Sequence, residues 1–287
     1  MSVRFPSVAG MFYPAGEKDC REQVEKCLES VPPIEREGAV RGGVVPHAGW
    51  SYSGPTAGRV FAALSAEDPP ETIVLFGAVH RWGVRGASMY GSGSWRTPLG
   101  DLSIDEELAQ EVLRSAGGAI LDNPDAHVGE HSIEVQLPFV AHLFPSARIL
   151  PISVPPSPHA HKVGAQVASA ARVLGRRTLA IGTSDLTHYG PRYGLAPVGV
   201  GDQTLEWVRK NDARLLDLTV QMRAADVVEE AREHQNACGA GAIAASIAYA
   251  AQLGATRGIV LHHTTSHDVM PMGPPTDMVG YAAIVFM

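Results

Sequence analysis

Three histidines stand just beyond three short apolar runs, and that placement is the first sign of chemistry in this chain. Gly42 to Val45 leads into Pro46-His47-Ala48-Gly49, and Ile73 to Phe76 leads into Gly77-Ala78-Val79-His80. Thr178 to Ile181 leads into Gly182-Thr183-Ser184-Asp185-Leu186-Thr187-His188. Neutral imidazole is the commonest protein ligand for borderline transition metals, and two or three converging rings make a site. Any one of these histidines could simply hydrogen-bond a carbonyl at the end of a strand. Three of them, each after a buried run and a glycine-containing turn, favour convergence. Asp185, three residues before His188, can orient that imidazole and raise its basicity, or it can cap a following helix.

Cys238 opens an Ala-rich stretch, Asn236-Ala237-Cys238-Gly239-Ala240-Gly241. A thiol at a helix N-terminus has a lowered pKa and is more readily the thiolate that binds metal. The alternative is a small buried residue, which free cysteine often is. Cys20 and Cys27 share one predicted helix, two turns apart, which is roughly 10 Å along the axis and too far for a disulfide. They read as packing residues. Two other motifs lack the context their chemistry needs. His127-Val128-Gly129-Glu130-His131 has the H-x-x-E-H pattern, but Gly129 and the preceding Asn123-Pro124-Asp125 imply a loop rather than a helix carrying both histidines on one face. Glu130 and His131 fit better as the lining or buttress of a pocket. Gly239 to Ala244 has dinucleotide-fingerprint spacing, yet polar residues rather than an apolar strand precede it. His262-His263 with His267 is read as mainly structural.

These residues need a scaffold, and the pattern around them alternates. Helices are expected over Glu17 to Ser30, Pro55 to Leu64, His161 to Leu174, Asp202 to Leu218 and Ala237 to Leu253. Ser103-Ile104-Asp105-Glu106 reads as a capping box opening a helix to about Arg114. Ser132 to Leu143 reads as helical with a break or kink at Pro138. Strands are expected over Gly42 to Pro46, Thr72 to Phe76, Arg148 to Val154, Thr178 to Ile181, Gly258 to His262 and Val279 to Phe286. Pro32-Pro33, Pro69-Pro70 and Pro155 to Pro158 punctuate the pattern. Such alternation predicts an α/β protein, one domain over residues 1–287, with a largely parallel or mixed sheet between helical layers. In sheets of that kind ligands bind beyond the carboxyl ends of the strands, where the three histidines would meet.

The 287 residues carry 23 basic and 30 acidic side chains, a net charge of −7. That field repels a phosphate backbone, so nucleic acid is not an expected partner. The longest apolar run, Ala237 to Ala251, is shorter than the roughly 20 residues that cross a bilayer, so no membrane role is expected. Met1 to Cys20 lacks the continuous apolar core of a signal peptide. With an odd number of cysteines, a cytoplasmic location is expected.

Several segments together resemble the Memo family, named for a mediator of cell motility. They are Phe12-Tyr13-Pro14, Pro46 to Gly49 with Tyr52-Ser53-Gly54, and Glu130-His131-Ser132-Ile133-Glu134 with Gln136-Leu137-Pro138. Ser184 to Gly190, Ala237-Cys238-Gly239 and Val279-Gly280-Tyr281-Ala282-Ala283 complete the set. They run in order along nearly the whole chain. The resemblance implies one α/β domain similar to the class III extradiol ring-cleaving dioxygenases, which hold non-heme iron(II) with two histidines and a glutamate. Carried onto this chain, it implies His47, His80 and Cys238 as metal ligands, with His188 as the acid/base and Asp185 beside it. Trp50, Tyr52 and His131 become candidates for contacting a small aromatic or oxygenated substrate. Iron(II) is the leading cofactor, with copper or zinc as alternatives, because Cys238 occupies the glutamate's place and thiolate is softer. The segment Gly77 to Trp82 also departs from relatives, and places Arg81 and Trp82 where they could shape a pocket mouth. The rival implied function is a non-catalytic module that binds a peptide or stores metal in the same pocket. A functional link to a radical-SAM protein is a further implication.

Overall fold

The computed structural model describes residues 2–29, 38–65 and 68–287; the expected Pro32-Pro33 punctuation and the helix end at Ser30 lie outside them. The first half of the chain runs β1 (Val3–Arg4), α1 (Glu17–Glu29), β2 (Gly42–Val45), α2 (Trp50–Ser65), β3 (Thr72–Gly77), β4 (Ala87–Met89), β5 (Ser94–Thr97), β6 (Gly100–Ser103), α3 (Glu106–Ala116) and β7 (Ile120–Asp122). It continues with α4 (Leu137–Leu143), β8 (Arg148–Ser153), α5 (Ala160–Val173), β9 (Thr178–Thr183), β10 (His188–Tyr189), α6 (Gln203–Val220) and α7 (Val227–His234). The last elements are α8 (Ala240–Gln252), β11 (Gly258–Thr265), α9 (Ser266–Val269) and β12 (Met278–Phe286).

Strands β2 and β3 are buried at every residue, and β8 and β9 at all but the first, because their runs of Val, Ile, Leu and Gly are covered on both faces. They form the middle of a mixed sheet ordered β10-β12-β2-β9-β3-β8-β4-β7, with β11 on the free side of β12. β2, β9, β3 and β8 run parallel; β12 and β4 join them antiparallel. β1, β5 and β6 make a small separate sheet. Helices flank the large sheet. α8 packs on α5 and crosses β9, β2 and β3, while α2 packs on α1, β12 and β2. At Gly164 in α5 an added Cβ would lie 1.8 Å from the Ala245 carbonyl oxygen, so only glycine lets α5 and α8 approach this closely.

The expected α/β architecture is therefore present, with local corrections. α2 starts at Trp50 rather than Pro55. The cap of α3 is Asp105, whose side chain accepts the Leu108 N–H at 3.2 Å, and Ser103 belongs to β6 instead. Asp105 is drawn inward because it also meets Thr72 and Arg148. The break near Pro138 is a 3-10 turn over Glu134–Gln136 that leads into α4. Pro138 sits in the first turn of α4, where its missing N–H costs nothing. Among the described residues, no helix is long and apolar enough to cross a membrane.

Candidate metal centre

His47, His80 and Asp185 follow β2, β3 and β9, three neighbouring parallel strands, so they emerge along one edge of the sheet. His47 is 1% exposed. Its backbone N–H donates to Asp185 Oδ1 at 2.8 Å, and its ring Nδ1 lies 3.3 Å from Thr183 Oγ1. Burial, reinforced by the nearby His80 and His131, holds the His47 imidazole well below its usual pKa. It is therefore neutral, the form that binds metal.

His80 is anchored by Glu130. Burial disfavours its cation, but the Glu130 hydrogen bond and charge outweigh that, and the His80 pKa rises. Glu130 is 3% exposed. Burial alone would raise its carboxyl, yet the His80 hydrogen bond and charge, with backbone donors from His80 and Ser132, hold it well below the carboxylate range.

His131 joins this pair. Its ring stacks on His80 at 4.7 Å between centroids and meets His47 edge-on at 5.4 Å; His47 and His80 are 5.1 Å apart. One ligand atom from each of His47, His80 and His131 lies within 4.8 Å of the others, so the group could hold a metal ion. The donor chemistry fits: imidazoles facing one another repel as cations, whereas a bound cation would be attracted by all three. The remaining nitrogens of His47 and His80 are occupied by Thr183 and Glu130, the outer-shell arrangement that orients metal-binding rings. His131, expected as a pocket-lining candidate for substrate contact, does line the cleft, but its place in this group was not expected. The only clue was its position in the Glu130-His131-Ser132-Ile133-Glu134 segment.

Cys238 sits against His47, with Sγ 3.1 Å from Nε2. It precedes α8 rather than starting it. The expected lowering of its pKa is overturned: burial, with the Asp185 charge adding to it, pushes the thiol up. Helix-end polarity cannot offset removal of a thiolate from water here.

The expected Asp185–His188 ring pairing is not what orients His188. Asp185, 5% exposed, spends its Oδ1 on the His47 N–H. Burial pushes its carboxyl up to about 6, against the hydrogen bonds from the His47 and Ala48 backbone. His188 Nδ1 instead bonds the Leu186 carbonyl at 3.0 Å. Both residues line a cleft of about 630 Å³ together with Tyr52, His131, Tyr193 and Tyr281. Tyr193 meets the His188 ring edge-on at 5.1 Å. Tyr193 had no sequence signal, since it closes a short 3-10 turn, Pro191–Tyr193, with no regular pattern.

Trp50, expected to touch substrate, is a core residue: it is 2% exposed, packs on Tyr13 and Phe139, and donates its indole N–H to the Val135 carbonyl at 3.0 Å. At the start of α2 its ring faces the helical layer, away from the cleft that Tyr52 lines. Arg81 ties the two histidine-bearing loops together through the Val128 carbonyl at 2.6 Å, and Trp82 is 98% exposed. Neither lines the cleft. His127 is fully buried and bonds the Ser88 carbonyl at 3.0 Å, so the H-x-x-E-H pattern contributes only its second histidine to the group.

Fold and site together define an α/β protein with a mixed sheet and a histidine cluster at the carboxyl ends of its central strands. The model of the Memo-like protein family matches residues 4–285, and the chain belongs to the Memo family. A MEMO1 family protein of Thermococcus onnurineus is 38% identical over 293 residues, covering 99% of each chain. Its counterpart in Pyrococcus abyssi is 37% identical, again over 99% of each. The crystal structure of the uncharacterized protein JW3007 of Escherichia coli K12 matches with a TM-score of 0.52 at 12% identity, over 86% of this chain and 99% of that one. That likeness is one of fold.

Proposed function

We propose that this chain is a metal-dependent redox protein. Its ion, iron(II) in the leading reading, is held by His47, His80 and a third donor, and a small aromatic or oxygenated substrate reaches it through the cleft. The observation that carries the reading is the group of three ligand atoms within 4.8 Å. When bound, such an ion supplies Lewis acidity and a redox couple at positions the protein leaves open. His131 is the third donor favoured by geometry; Cys238, at 3.1 Å from His47 Nε2, is the one favoured by the resemblance.

The remaining residues supply position and protons. Glu130 aims His80, and Asp185 fixes the backbone of His47. A carbonyl can only accept, so the bond to Leu186 places the proton of neutral His188 on Nδ1. Its Nε2 is then free to take a proton from substrate in the cleft. Tyr52 contributes a phenol to the wall.

The second reading is a non-catalytic module that holds copper or zinc, or binds a peptide. The soft sulfur of Cys238, 3.1 Å from His47 Nε2, favours it. Elemental analysis after anaerobic purification decides first. Near-stoichiometric iron lost in His47→Ala, with oxygen uptake that needs both metal and substrate, supports the redox reading. No iron uptake on titration overturns it. Comparing His131→Ala with Cys238→Ser identifies the third donor by which variant loses the metal.

A further inference from the structure

Helix α6 carries two buried polar side chains in succession, Asn211 at 5% and Asp212 at 0% exposure. Buried polar groups of this kind must find partners, and each of the two has one in Thr187, beside a second partner, His263 for Asp212 and the His234 carbonyl for Asn211. Asp212 Oδ1 accepts the Thr187 N–H at 3.0 Å, and Oδ2 lies 2.8 Å from His263 Nε2. Asn211 Nδ2 donates to Thr187 Oγ1 at 3.0 Å. The Thr187 carbonyl accepts the Gly280 N–H at 2.9 Å, while the Gly280 carbonyl accepts the Leu186 N–H at 2.8 Å. Every polar group of Thr187 is thus fixed. The arrangement also explains Gly280: an added Cβ there would lie 2.2 Å from Asp212 Oδ2.

Thr187 stands between Leu186, whose carbonyl receives the His188 ring, and His188 itself. We infer that Asp212 is a positioning residue for His188, holding the Leu186–Thr187–His188 backbone so that the ring keeps its proton on Nδ1 and turns Nε2 to the cleft. The carboxylate acts through the Thr187 amide and touches neither substrate nor the histidine cluster. His263 steadies it from β11, a role for the second member of the His262-His263 pair. The inference rests on the proposed role of His188 as the proton-moving group, but its geometry does not depend on a metal.

The experiment is nitrogen NMR on protein labelled with 15N-histidine and loaded with zinc, with a metal-free sample beside it. His188→Gln assigns the signal. Wild type should show His188 in the Nδ1–H form. Asp212→Asn, which retains an oxygen to accept the Thr187 N–H, should keep that form, whereas Asp212→Ala should populate both tautomers. Circular dichroism checks that each variant is folded. Should Asp212→Ala fail to fold, His263→Gln removes one arm of the carboxylate's anchorage, and partial tautomer mixing is expected. An Nε2–H tautomer in wild type overturns the inference, as does an unmixed Nδ1–H form in whichever of these two variants is folded. Loss of the metal reading, seen as no metal uptake in wild type, would leave the tautomer result standing and so is told apart from failure of this inference.

Discussion

Glu130 grips His80 at two points. One carboxylate oxygen accepts the His80 backbone N–H at 2.8 Å and the other lies 3.0 Å from the ring Nδ1. This fixes both the place of the residue and the tautomer of its ring, leaving Nε2 as the lone pair offered to a metal. Glu130→Gln keeps the shape but loses the charge that raises ring basicity. Metal affinity should fall by about 10–100-fold, the usual effect of losing such a partner. Competition with a chelator for zinc or cobalt measures it; unchanged affinity would remove His80 from the ligand set.

Gly239 tests how closely Cys238 is held. Its φ of −107° suits any residue, so the reason for glycine is space. A Cβ would fall 2.2 Å from the Thr183 carbonyl oxygen and 2.8 Å from Ser184 Cβ. Gly239→Ala must push the start of α8 away from β9, carrying Cys238 off His47. The expected loss of stability is about 1–3 kcal/mol, the range for overpacking. Denaturant unfolding gives that value, and the rate at which a thiol reagent labels Cys238 should rise with it. Gly129→Ala is the control: it is strained by its φ of +72° but has nothing within 4 Å.

The legible part of this protein was the part with simple periodicity. The continuous apolar runs of β2, β3, β8 and β9 announced a sheet covered on both faces, and the turn residues after them announced where His47 and His80 would emerge. The third histidine expected to meet them, His188, begins β10 and lies outside the group, whose third member is His131. What stayed hidden depended on long-range partners. His131 follows no strand; it reaches the cluster because Arg4 and the segment near Ser7 tie down the neighbouring Glu134. The direction of the Cys238 pKa shift was not legible because helix-end polarity is a local property, whereas the burial that raises it is a tertiary one. Trp50 lies between the Pro46–Gly49 and Tyr52–Gly54 segments, and nothing in the order of residues told which face of α2 it would take. The capping role of Asp105 went to Ser103 in the sequence because both fit the pattern, and only the buried Thr72 and Arg148 decide between them.

The Arg4–Glu134 pair is the anchor of the N-terminal segment. Arg4 Nη1 meets Glu134 at 2.8 Å with side chains 8% and 1% exposed. Glu134 also accepts the N–H groups of Ser7 and Val8, each at 2.8 Å. The segment so held ends at Phe12, whose ring lies 4.9 Å from His131. Removing one partner of a buried pair leaves an uncompensated charge, so Arg4→Met should cost about 3–5 kcal/mol. Limited proteolysis should then cut within residues 2–14 while the sheet stays resistant. Equal resistance to that of wild type would show that the segment is held by its apolar contacts alone.

His127 makes stability depend on pH independently of the metal centre. Burial lowers its pKa to about 4, with the Ser88 carbonyl opposing and the Arg4 charge assisting. In the unfolded chain the same imidazole titrates near 6.5. Between these values the unfolded state binds a proton that the folded state refuses, so stability rises with pH across that window and is lost on acidification from about 6.5 towards 4. The full effect of such a difference is about 3 kcal/mol. His127→Gln, which retains an amide donor for the Ser88 carbonyl but cannot be protonated there, should flatten this limb of the curve. Melting temperatures of both metal-free proteins from pH 4 to 7 test it. The wild-type and variant curves should converge at the acid end, and parallel curves throughout would mean that His127 takes up its proton without unfolding the chain.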